Sequence, residues 1–340
     1  MNFLVSVIVP FFNAEKTLER LVDSILAQNT DVPYDIVLID DGSADASTLI
    51  AEDYARKHPY IKYIRQENKG VSSARNTGIG HSSGEFICFV DADDQLNENY
   101  IQCLYETIKD KCDLAVCSYE LLTIKYRKER KLEARSFEDI AEFLLYLEKQ
   151  KRTFVQSVWN KIFKTEIIEK QNIKFNEKLS ISEDHLFFLE YCKYIKTAKT
   201  IEDILYVHIQ TGKSLTTRRY DMDILFNRAK KVYCQSNYIS SLYPNKQYEE
   251  YAFSNYRIDY YYALLQMYHP RSFLNRKKRM EKIEDYCSLF SKHEVRVWNR
   301  RQKVPKAIDY FTRTGGVVIL DVLFFINCHY YRFVRKKFNN

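Results

Sequence analysis

Short apolar runs alternate with longer amphipathic segments through the first third of the chain. Strands are predicted at 4–9, 35–39, 61–65, 86–90 and 113–118. Helices are predicted between them at about 15–28, 46–57 and 97–110, and a small-residue helix follows Gly70. Strands separated by helices of about a dozen residues indicate βαβ units. The sequence therefore predicts an α/β fold with a Rossmann-like, mostly parallel sheet flanked by helices.

The most informative stretch is residues 86–94, where five apolar residues lead directly into three carboxylates. The run from Phe86 to Val90 is typical of a strand buried on both faces, and Asp91, Asp93 and Asp94 follow it. Unpaired charges cannot remain in such a core, so the acidic cluster must lie at the carboxyl end of the strand, where open α/β sheets bind ligands. Clustered carboxylates there suit Mg²⁺ or Mn²⁺, although a solvated acidic turn that caps the next helix is the simpler alternative.

Polar residues also follow two other strands, at Asn13 and at Asp40-Asp41. If the strands are parallel, these residues share one edge with the acidic cluster. The usual phosphate-binding glycine motifs, G-x-G-x-x-G after the first strand and G-x-x-x-x-G-K-[ST], do not occur in the sequence. Dinucleotide oxidoreductases and P-loop NTPases are therefore disfavoured, and a bound nucleotide would need a cation to neutralise its phosphates.

Charge divides the chain into two parts. Residues 221–340 carry 22 Lys and Arg against 11 Asp and Glu, whereas the first 220 residues carry 30 against 34. A near-neutral front and a basic back suggest two modules, the second of which faces something anionic. The 8 cysteines show no metal-ligand spacing and are typical of reduced residues in a cytosolic protein. The N-terminus reads as a first strand and not as a signal peptide.

Four ordered motifs resemble those of the family 2 glycosyltransferases of GT-A fold. They are Ser6 to Asn13, Ile39 to Ser43, Asn68-Lys69-Gly70 with Ala74 to Gly78, and Asp91-Ala92-Asp93-Asp94. The resemblance implies inverting transfer of a sugar from a nucleotide-diphosphate donor, usually a UDP-sugar, with Mn²⁺ or Mg²⁺ as cofactor. The residues that it assigns to the nucleotide-sugar are Pro10, Phe12, Asn13, Asp41, Asn68, Arg75, Asp91 and Ala92.

Within that set, the resemblance implies that Asp41 accepts a hydrogen bond from uracil and that Arg75 lies near the nucleotide. Asp93, together with Asp91, would bind the metal. Coordination of the departing diphosphate by a metal stabilises the leaving group. His208 could also reach the metal, but a single histidine near a strand is more often structural.

Residues 119–220 resemble the acceptor half of such enzymes. In Ser182-Glu183-Asp184, the resemblance makes Asp184 the catalytic base, with Glu183 beside it. An N-cap at Ser182 followed by acids in the first helical turn would explain the same residues without catalysis. Trp159 and Lys161 are expected to line the acceptor pocket, and a buried tryptophan beside an exposed lysine is the alternative.

The remaining segments are basic. Lys213 and Arg218 lie in a polar loop that could close over the donor, or that could simply be solvated. Beyond residue 220 the pattern is helical, and no internal repeat occurs. The segment 316–338 suits an interfacial helix beside anionic lipid, although a helix docked on the protein's own core fits equally well. Its apolar run of ten residues is too short to span a bilayer.

The expected organisation is a GT-A domain at 1–220 and a helical, basic region at 221–340. Within the GT-A domain, 1–118 would bind the nucleotide-sugar and 119–220 the acceptor. The expected reaction adds one sugar to a saccharide or polyprenyl-diphosphate-linked acceptor in bacterial surface polysaccharide synthesis. The expected location is cytoplasmic, at the inner face of the membrane. Nucleic acid is not expected as a partner. A sugar nucleotidyltransferase and a non-catalytic nucleotide-sugar-binding protein are the alternatives.

Overall fold

The chain alternates strands and helices up to residue 210 and continues as helices in the later described segments. The computed structural model describes residues 2–109, 112–179, 181–210, 222–268, 275–290, 312, 317 and 319–324. The strands are β1 (Val5–Phe11), β2 (Tyr34–Asp40), β3 (Ile61–Arg65), β4 (Phe86–Phe89), β5 (Gln95–Leu96), β6 (Leu114–Thr123), β7 (Arg127–Arg130), β8 (Arg135–Phe137), β9 (Lys161–Lys164) and β10 (Ala198–Gln210).

The helices lie between and after these strands. They are α1 (Leu18–Leu26), α2 (Ser47–Lys57), α3 (Val71–His81), α4 (Tyr100–Ile108), α5 (Ile140–Gln150), α6 (Thr153–Gln156), α7 (Thr165–Lys170), α8 (Glu183–Cys192), α9 (Met222–Leu242), α10 (Lys246–Gln266) and α11 (Arg276–Phe290). Residues 319–324 are also helical. The predicted α/β class with a helical C-terminal region is therefore confirmed.

All ten strands of the described chain form one sheet. Its order is β3-β2-β1-β4-β9-β6-β10-β5, with β7 paired to β6 and β8 paired to β10. Strands β1, β2, β3 and β4 are parallel, and β10 is parallel to β6. Strand β9 is antiparallel to both β4 and β6, so those two strands run in the same direction. The carboxyl ends of β1, β2, β4, β6 and β10 consequently meet at one edge, which we call the carboxyl edge.

The central strands are buried because they are apolar on both faces. Every residue of β1 and of β4 is buried, which is what continuous apolar runs predict for a sheet covered by helices. The first strand, predicted at 4–9, extends to Phe11, and Pro10 lies inside it opposite Ile39 of β2. Helix α1 buries one apolar face, which consists of Leu18, Leu21, Val22 and Ile25.

The chain divides into two compact units. The first contains the described residues up to Gln210 together with Ser241–Pro244, and the second contains Met222–Ser240, the described residues from Asn245 to 290 and those after residue 311. The second unit has its own core, which is rich in aromatic side chains. Its buried rings include Tyr256, Tyr260, Tyr261, Tyr286, Phe290 and Phe324.

The described part of the C-terminal segment packs on this second core. Leu320 and Phe324 are completely buried, and Asp321 accepts hydrogen bonds from Tyr268 Oη at 2.6 Å and from Arg279 Nε at 3.2 Å. The docked alternative therefore holds for these positions, although Ile319 and Val322 remain exposed. Among the described helices, none is both long enough and apolar enough to cross a membrane.

Candidate active site

The three aspartates that follow β4 occupy different environments at the carboxyl edge. Asp94 is completely buried and accepts hydrogen bonds from Tyr206 Oη at 2.6 Å, from the Ile209 amide at 2.7 Å and from His208 Nδ1 at 3.2 Å. Burial raises the pKa of Asp94, and the neighbouring imidazole opposes that rise. Asp94 therefore connects the chain that follows β4 to the last residues of β10.

His208 is held from two sides. Asp94 binds its Nδ1, and the ring stacks on Trp159 with centroids 5.2 Å apart. Burial opposes protonation, but the bond and the charge of Asp94 raise the pKa of His208 above its ordinary value. Metal-binding histidines usually present this kind of carboxylate partner at the nitrogen that does not bind the metal. His208, for which the sequence favoured a structural role, therefore lies beside the acidic cluster.

Asp93 differs because it is the most exposed of the three aspartates. Desolvation by the surrounding protein and the charges of Asp94 and Asp91 raise the pKa of Asp93 to about 7. No group of three or more His, Cys, Asp or Glu within the described ranges is assembled as a metal centre. The exposed carboxylate of Asp93 still suits Mg²⁺, because this ion is usually bound by one or two carboxylates together with substrate phosphates and water.

Asp91 and Asp184 are brought together by the buried guanidinium of Arg75 on α3. Arg75 Nη2 lies 2.8 Å from Asp91 Oδ1, and Nη1 lies 2.6 Å from Asp184 Oδ1. Glu183 Oε1 is 3.7 Å from Nη1, and the guanidinium also lies over the Phe175 ring at 5.2 Å. The forked cation therefore connects the end of β4 to the start of α8. Sequence reasoning selected Arg75 and the three carboxylates separately but missed this connection and the contact with Phe175.

Glu183 and Asp184 open helix α8, and Ser182 precedes them. Ser182 has a left-handed backbone with φ of +59°, and its side chain makes no capping hydrogen bond. Ser182 thus occupies the N-cap position and both acids lie in the first helical turn, as the alternative explanation expected, but the Ser182 side chain does not cap the helix. Burial raises the pKa of Asp184; Arg75 opposes this effect, whereas Glu183 and Asp91 add to it.

The loops after β1 and β2 form the other side of the carboxyl edge. Asp41 is buried, and its Oδ1 accepts hydrogen bonds from Gln66 Nε2 at 2.8 Å and from the Lys69 amide at 2.9 Å, while Oδ2 accepts one from the Gly70 amide at 2.8 Å. Asp41 thus shapes the loop that carries Asn68, which is itself exposed.

Phe12 and Asn13 present two kinds of surface at this edge. The Phe12 ring is 49% exposed, whereas Pro10 before it is buried. Asn13 adopts a left-handed φ of +50°, and its Oδ1 accepts a hydrogen bond of 2.9 Å from the Ala44 amide. The exposed ring offers an apolar face to a ligand, and Asn13 fixes the two loops together.

Trp159 and Lys161 are both buried. Trp159 stacks on Tyr206 with ring centroids 4.4 Å apart, in addition to His208. Lys161 Nζ donates to Ser157 O and to Asn160 Oδ1, each at 2.7 Å, and burial lowers its pKa to about 7. The alternative of an exposed lysine is therefore wrong, and in this conformation neither side chain presents a surface to an acceptor.

The remaining site predictions lie partly outside what the structure covers. Lys213 and Arg218 fall outside the described residues. Ala92 is half-buried in the turn between Asp91 and Asp93. The mixed sheet with its parallel strands β1 to β4, the acidic turn after β4 and the carboxylates that open α8 together are typical of the GT-A class of nucleotide-sugar-binding folds.

Comparison with known proteins agrees with that class. Residues 6–171 match the family described as Glycosyl transferase family 2. The chain is 34% identical over 226 residues to the uncharacterized glycosyltransferase EpsJ of Bacillus subtilis (strain 168), an alignment that covers 64% of each protein, less than two thirds of EpsJ. It is 27% identical over 302 residues to the poly(ribitol-phosphate) beta-N-acetylglucosaminyltransferase TarP of Staphylococcus aureus (strain N315), covering 85% of this chain and 87% of TarP.

A solved structure shares the fold along most of the chain. The crystal structure of S. aureus TarS 1–349 in complex with UDP-GlcNAc superposes with a TM-score of 0.70 at 17% identity, covering 94% of this chain and 89% of that one. Residues 6–171 therefore form a domain of the glycosyltransferase family 2 kind, which makes up just under half of the chain.

Proposed function

We propose that this protein is an inverting, metal-dependent glycosyltransferase that moves one sugar from a UDP-sugar to a hydroxyl group of a surface-polymer precursor. The observation that carries the proposal is the Arg75 bridge, which holds Asp91 and Asp184 at one edge of the sheet. Family membership supports transferase chemistry, and the UDP-GlcNAc bound to TarS supports a nucleotide-sugar donor. The family match also disfavours the two alternatives, a sugar nucleotidyltransferase and a non-catalytic nucleotide-sugar-binding protein.

The donor side of the site is proposed to lie between the loops after β1 and β2 and the end of β4. The exposed ring of Phe12 suits stacking against a nucleobase, while Asp41 orders the loop that bears Asn68. Asp93, with Asp91 and His208 close by, would hold Mn²⁺ or Mg²⁺. A bound cation of this kind supplies charge neutralisation at the diphosphate leaving group.

The acceptor side is proposed to face Asp184. Arg75 binds Oδ1 of this carboxylate, and no hydrogen bond engages Oδ2 among the described residues. Oδ2 can therefore accept the proton of an acceptor hydroxyl while the oxygen of that hydroxyl attacks the anomeric carbon of the donor sugar. The bond from that carbon to the diphosphate oxygen breaks on the opposite face, and the configuration inverts. A carboxylate with a raised pKa is a stronger base for this proton transfer.

The acceptor class is a further part of the proposal. TarP is named for a poly(ribitol-phosphate) acceptor, and the chain resembles TarP over 85% of its length. We propose a saccharide or a polyprenyl-diphosphate-linked acceptor of this surface-polymer kind. Residues 1–118 would bind the donor, 119–220 would bind the acceptor, and the basic region after residue 220 would associate with the inner face of the membrane.

Asp184→Asn tests the proposed base. The amide keeps the shape of the side chain but cannot take a proton, so kcat should fall by at least about 10² while UDP-sugar affinity stays nearly unchanged. Glu183→Gln should lower kcat less, because Glu183 lies farther from Arg75. The assay is transfer or slow donor hydrolysis over a panel of nucleotide sugars. Turnover at the wild-type rate in Asp184→Asn would remove the assignment.

Asp93→Asn tests the metal. Calorimetry of UDP binding should show Mn²⁺ or Mg²⁺ dependence in the wild type and little in the variant, because the amide cannot neutralise a cation. Asp53→Asn is a matched control, since this carboxylate lies on α2 and pairs with Lys57. Equal UDP affinity in EDTA and in Mn²⁺ for the wild-type protein would contradict metal dependence.

A further inference from the structure

An exposed hairpin projects from the carboxyl edge beside the site. Strand β6 stays paired with β10 as far as Thr123, and the chain then turns through 124–126 and returns as β7. The hydroxyl of Thr123 accepts hydrogen bonds from the Lys125 amide at 3.2 Å and from the Tyr126 amide at 3.0 Å. We call residues 121–131 the edge hairpin. Its turn is an ordered structure that holds the intervening side chains outward.

The tip of the edge hairpin is apolar. Ile124 is 86% exposed, the highest value for any large apolar side chain in the described ranges, and Tyr126 is 53% exposed. Isolated exposed apolar residues are common, but these two stand together on one turn. Tyrosine has an apolar ring and a polar tip, and is enriched where one end of a side chain is in apolar surroundings and the other is in water.

The same turn is strongly basic. Residues 124–131 contain one acidic residue, Glu129, and five basic ones, which are Lys125, Arg127, Lys128, Arg130 and Lys131. Arg127 pairs with Glu120 and Lys131 pairs with Glu129, whereas Lys125 and Lys128 at the tip are exposed. Exposed apolar side chains flanked by cations form the chemical pattern that associates with the headgroup region of an anionic bilayer.

The strand register places this tip next to the candidate active site. Leu121 of β6 pairs with His208 of β10, and Thr123 pairs with Gln210. Ile124 therefore lies three residues beyond the level of His208, about 10 Å at a rise of roughly 3.3 Å per residue. A surface touched by the tip would face the same edge as the acidic cluster.

We propose that the edge hairpin docks on the surface of an anionic phospholipid bilayer, with Ile124 and Tyr126 entering the headgroup region and Lys125 and Lys128 contacting lipid phosphates. The docked hairpin would present the carboxyl edge to an acceptor whose lipid anchor lies in that bilayer. The inference rests on the proposed transfer to a lipid-linked acceptor, but it concerns a surface that is separate from the catalytic carboxylates.

A bilayer explains the tip better than a soluble polyanion does. Phosphate groups of a soluble chain would engage the lysines but would leave Ile124 in water. Insertion of the isoleucine removes apolar surface from water, and it is favourable only where hydrocarbon or lipid backbone is available. The two kinds of partner therefore predict different effects of an Ile124 substitution.

The test uses the full chain and a local fluorescence probe, since the basic C-terminal region could bind the same vesicles. Tyr126→Trp places an indole at the tip, and Tyr194→Trp places one at a position of similar exposure, 44%, just after α8. Each variant is mixed with vesicles of phosphatidylcholine and 30% phosphatidylglycerol that carry brominated acyl chains. Quenching beyond that of the wild type, which has 2 Trp, is expected for Tyr126→Trp and not for Tyr194→Trp.

Substitutions then separate the apolar and charged contributions to vesicle affinity. In the Tyr126→Trp background, Lys125→Gln with Lys128→Gln should reduce the tip-specific vesicle affinity by about 5-fold for each charge removed. Ile124→Ser should weaken it further. The matched control is Arg56→Gln with Lys57→Gln, which removes two exposed charges where α2 ends, at the opposite edge of the sheet, and which should leave the signal unchanged.

Two results would overturn the proposal. One is equal quenching of Tyr126→Trp and Tyr194→Trp. The other is vesicle affinity that is insensitive to Ile124→Ser but is abolished by soluble polyphosphate, which would assign the tip to a soluble polyanion. Transfer to a short water-soluble acceptor analogue should persist in all hairpin variants. Loss of transfer together with loss of quenching would indicate misfolding, which circular dichroism of the same sample detects. The vesicle assay therefore tests the docking surface, and the transfer assay with a soluble acceptor tests the proposed reaction.

Discussion

Removal of the Arg75 guanidinium should destabilise the first unit and impair turnover together. Arg75 is 3% exposed, and its side chain donates two charge-assisted hydrogen bonds, to Asp184 at 2.6 Å and to Asp91 at 2.8 Å. In Arg75→Met, two carboxylates would remain close together without a cation. Breaking a buried ion pair from one side costs about 3–5 kcal/mol. Because Asp91 retains some solvent exposure, we expect the lower end, about 3 kcal/mol.

Urea denaturation and thermal unfolding measure this loss. For a unit of this size, each kcal/mol shifts the melting temperature by about 2–4 °C, so Arg75→Met should melt roughly 6–12 °C lower. Arg56→Met is the control, since Arg56 is an exposed partner of Asp53 on α2 and such pairs contribute about 0–1 kcal/mol.

Arg75→Lys separates geometry from charge. One ammonium group keeps the positive charge but cannot span both carboxylates as the planar fork does. We expect a smaller stability loss, about 1.5–3 kcal/mol for one charged hydrogen bond, together with a clear fall in kcat. If Arg75→Lys matched the wild type in both melting temperature and kcat, the bridge between Asp91 and Asp184 would have no role in catalysis.

The other predictions concern backbone and proton effects. Since burial raises the pKa of Asp184, the acidic limb of the kcat/KM profile should lie above the ordinary carboxylate range near pH 4, and a limb at pH 4 would contradict it. Burial lowers the pKa of Lys161 to about 7 in the folded protein, whereas an unfolded lysine has a pKa near 10.4. Between these two values the unfolded state binds more protons, so the free energy of unfolding should rise with pH by up to about 1.4 kcal/mol per pH unit. Lys161→Met should flatten that rise in urea titrations. Ser182→Gly should keep or raise the melting temperature, because glycine adopts the left-handed φ of +59° without a steric cost, and a lower melting temperature would contradict this. Gly42→Ala should lower the melting temperature and the donor affinity, because Gly42 has a φ of +79° and a Cβ there would lie 2.9 Å from the Asn68 amide nitrogen. A wild-type melting temperature together with wild-type donor affinity would contradict this clash.

The sequence predicted the central sheet because burial leaves a local pattern. Continuous apolar runs such as Phe86–Val90 can only be buried on both faces, and the strands they predict are present. Strand β9 was missed because Lys161–Lys164 has a lysine at each end. Its antiparallel position between β4 and β6 depends on pairing across the fold, which adjacent residues do not encode.

The candidate site was predictable residue by residue but not as a network. Carboxylates at strand and helix ends are visible in the sequence, so Asp93 and Asp184 could be selected. Arg75 and Asp184 are separated by 109 positions, and no local periodicity links them. The burial of Lys161 was also hidden, since its hydrogen bonds to Ser157 and Asn160 exist only after the chain folds.

Through the forked contact of Arg75, binding of the proposed donor and binding of a proton at Asp184 would be thermodynamically linked. Any ligand that draws Asp91 away from the guanidinium changes the field at Asp184, which shares the same cation. Linkage is reciprocal, so a donor that alters the proton affinity of Asp184 must itself bind with a different affinity once Asp184 is protonated. Donor affinity should consequently vary with pH over the titration range of Asp184, even for a donor that does not titrate there.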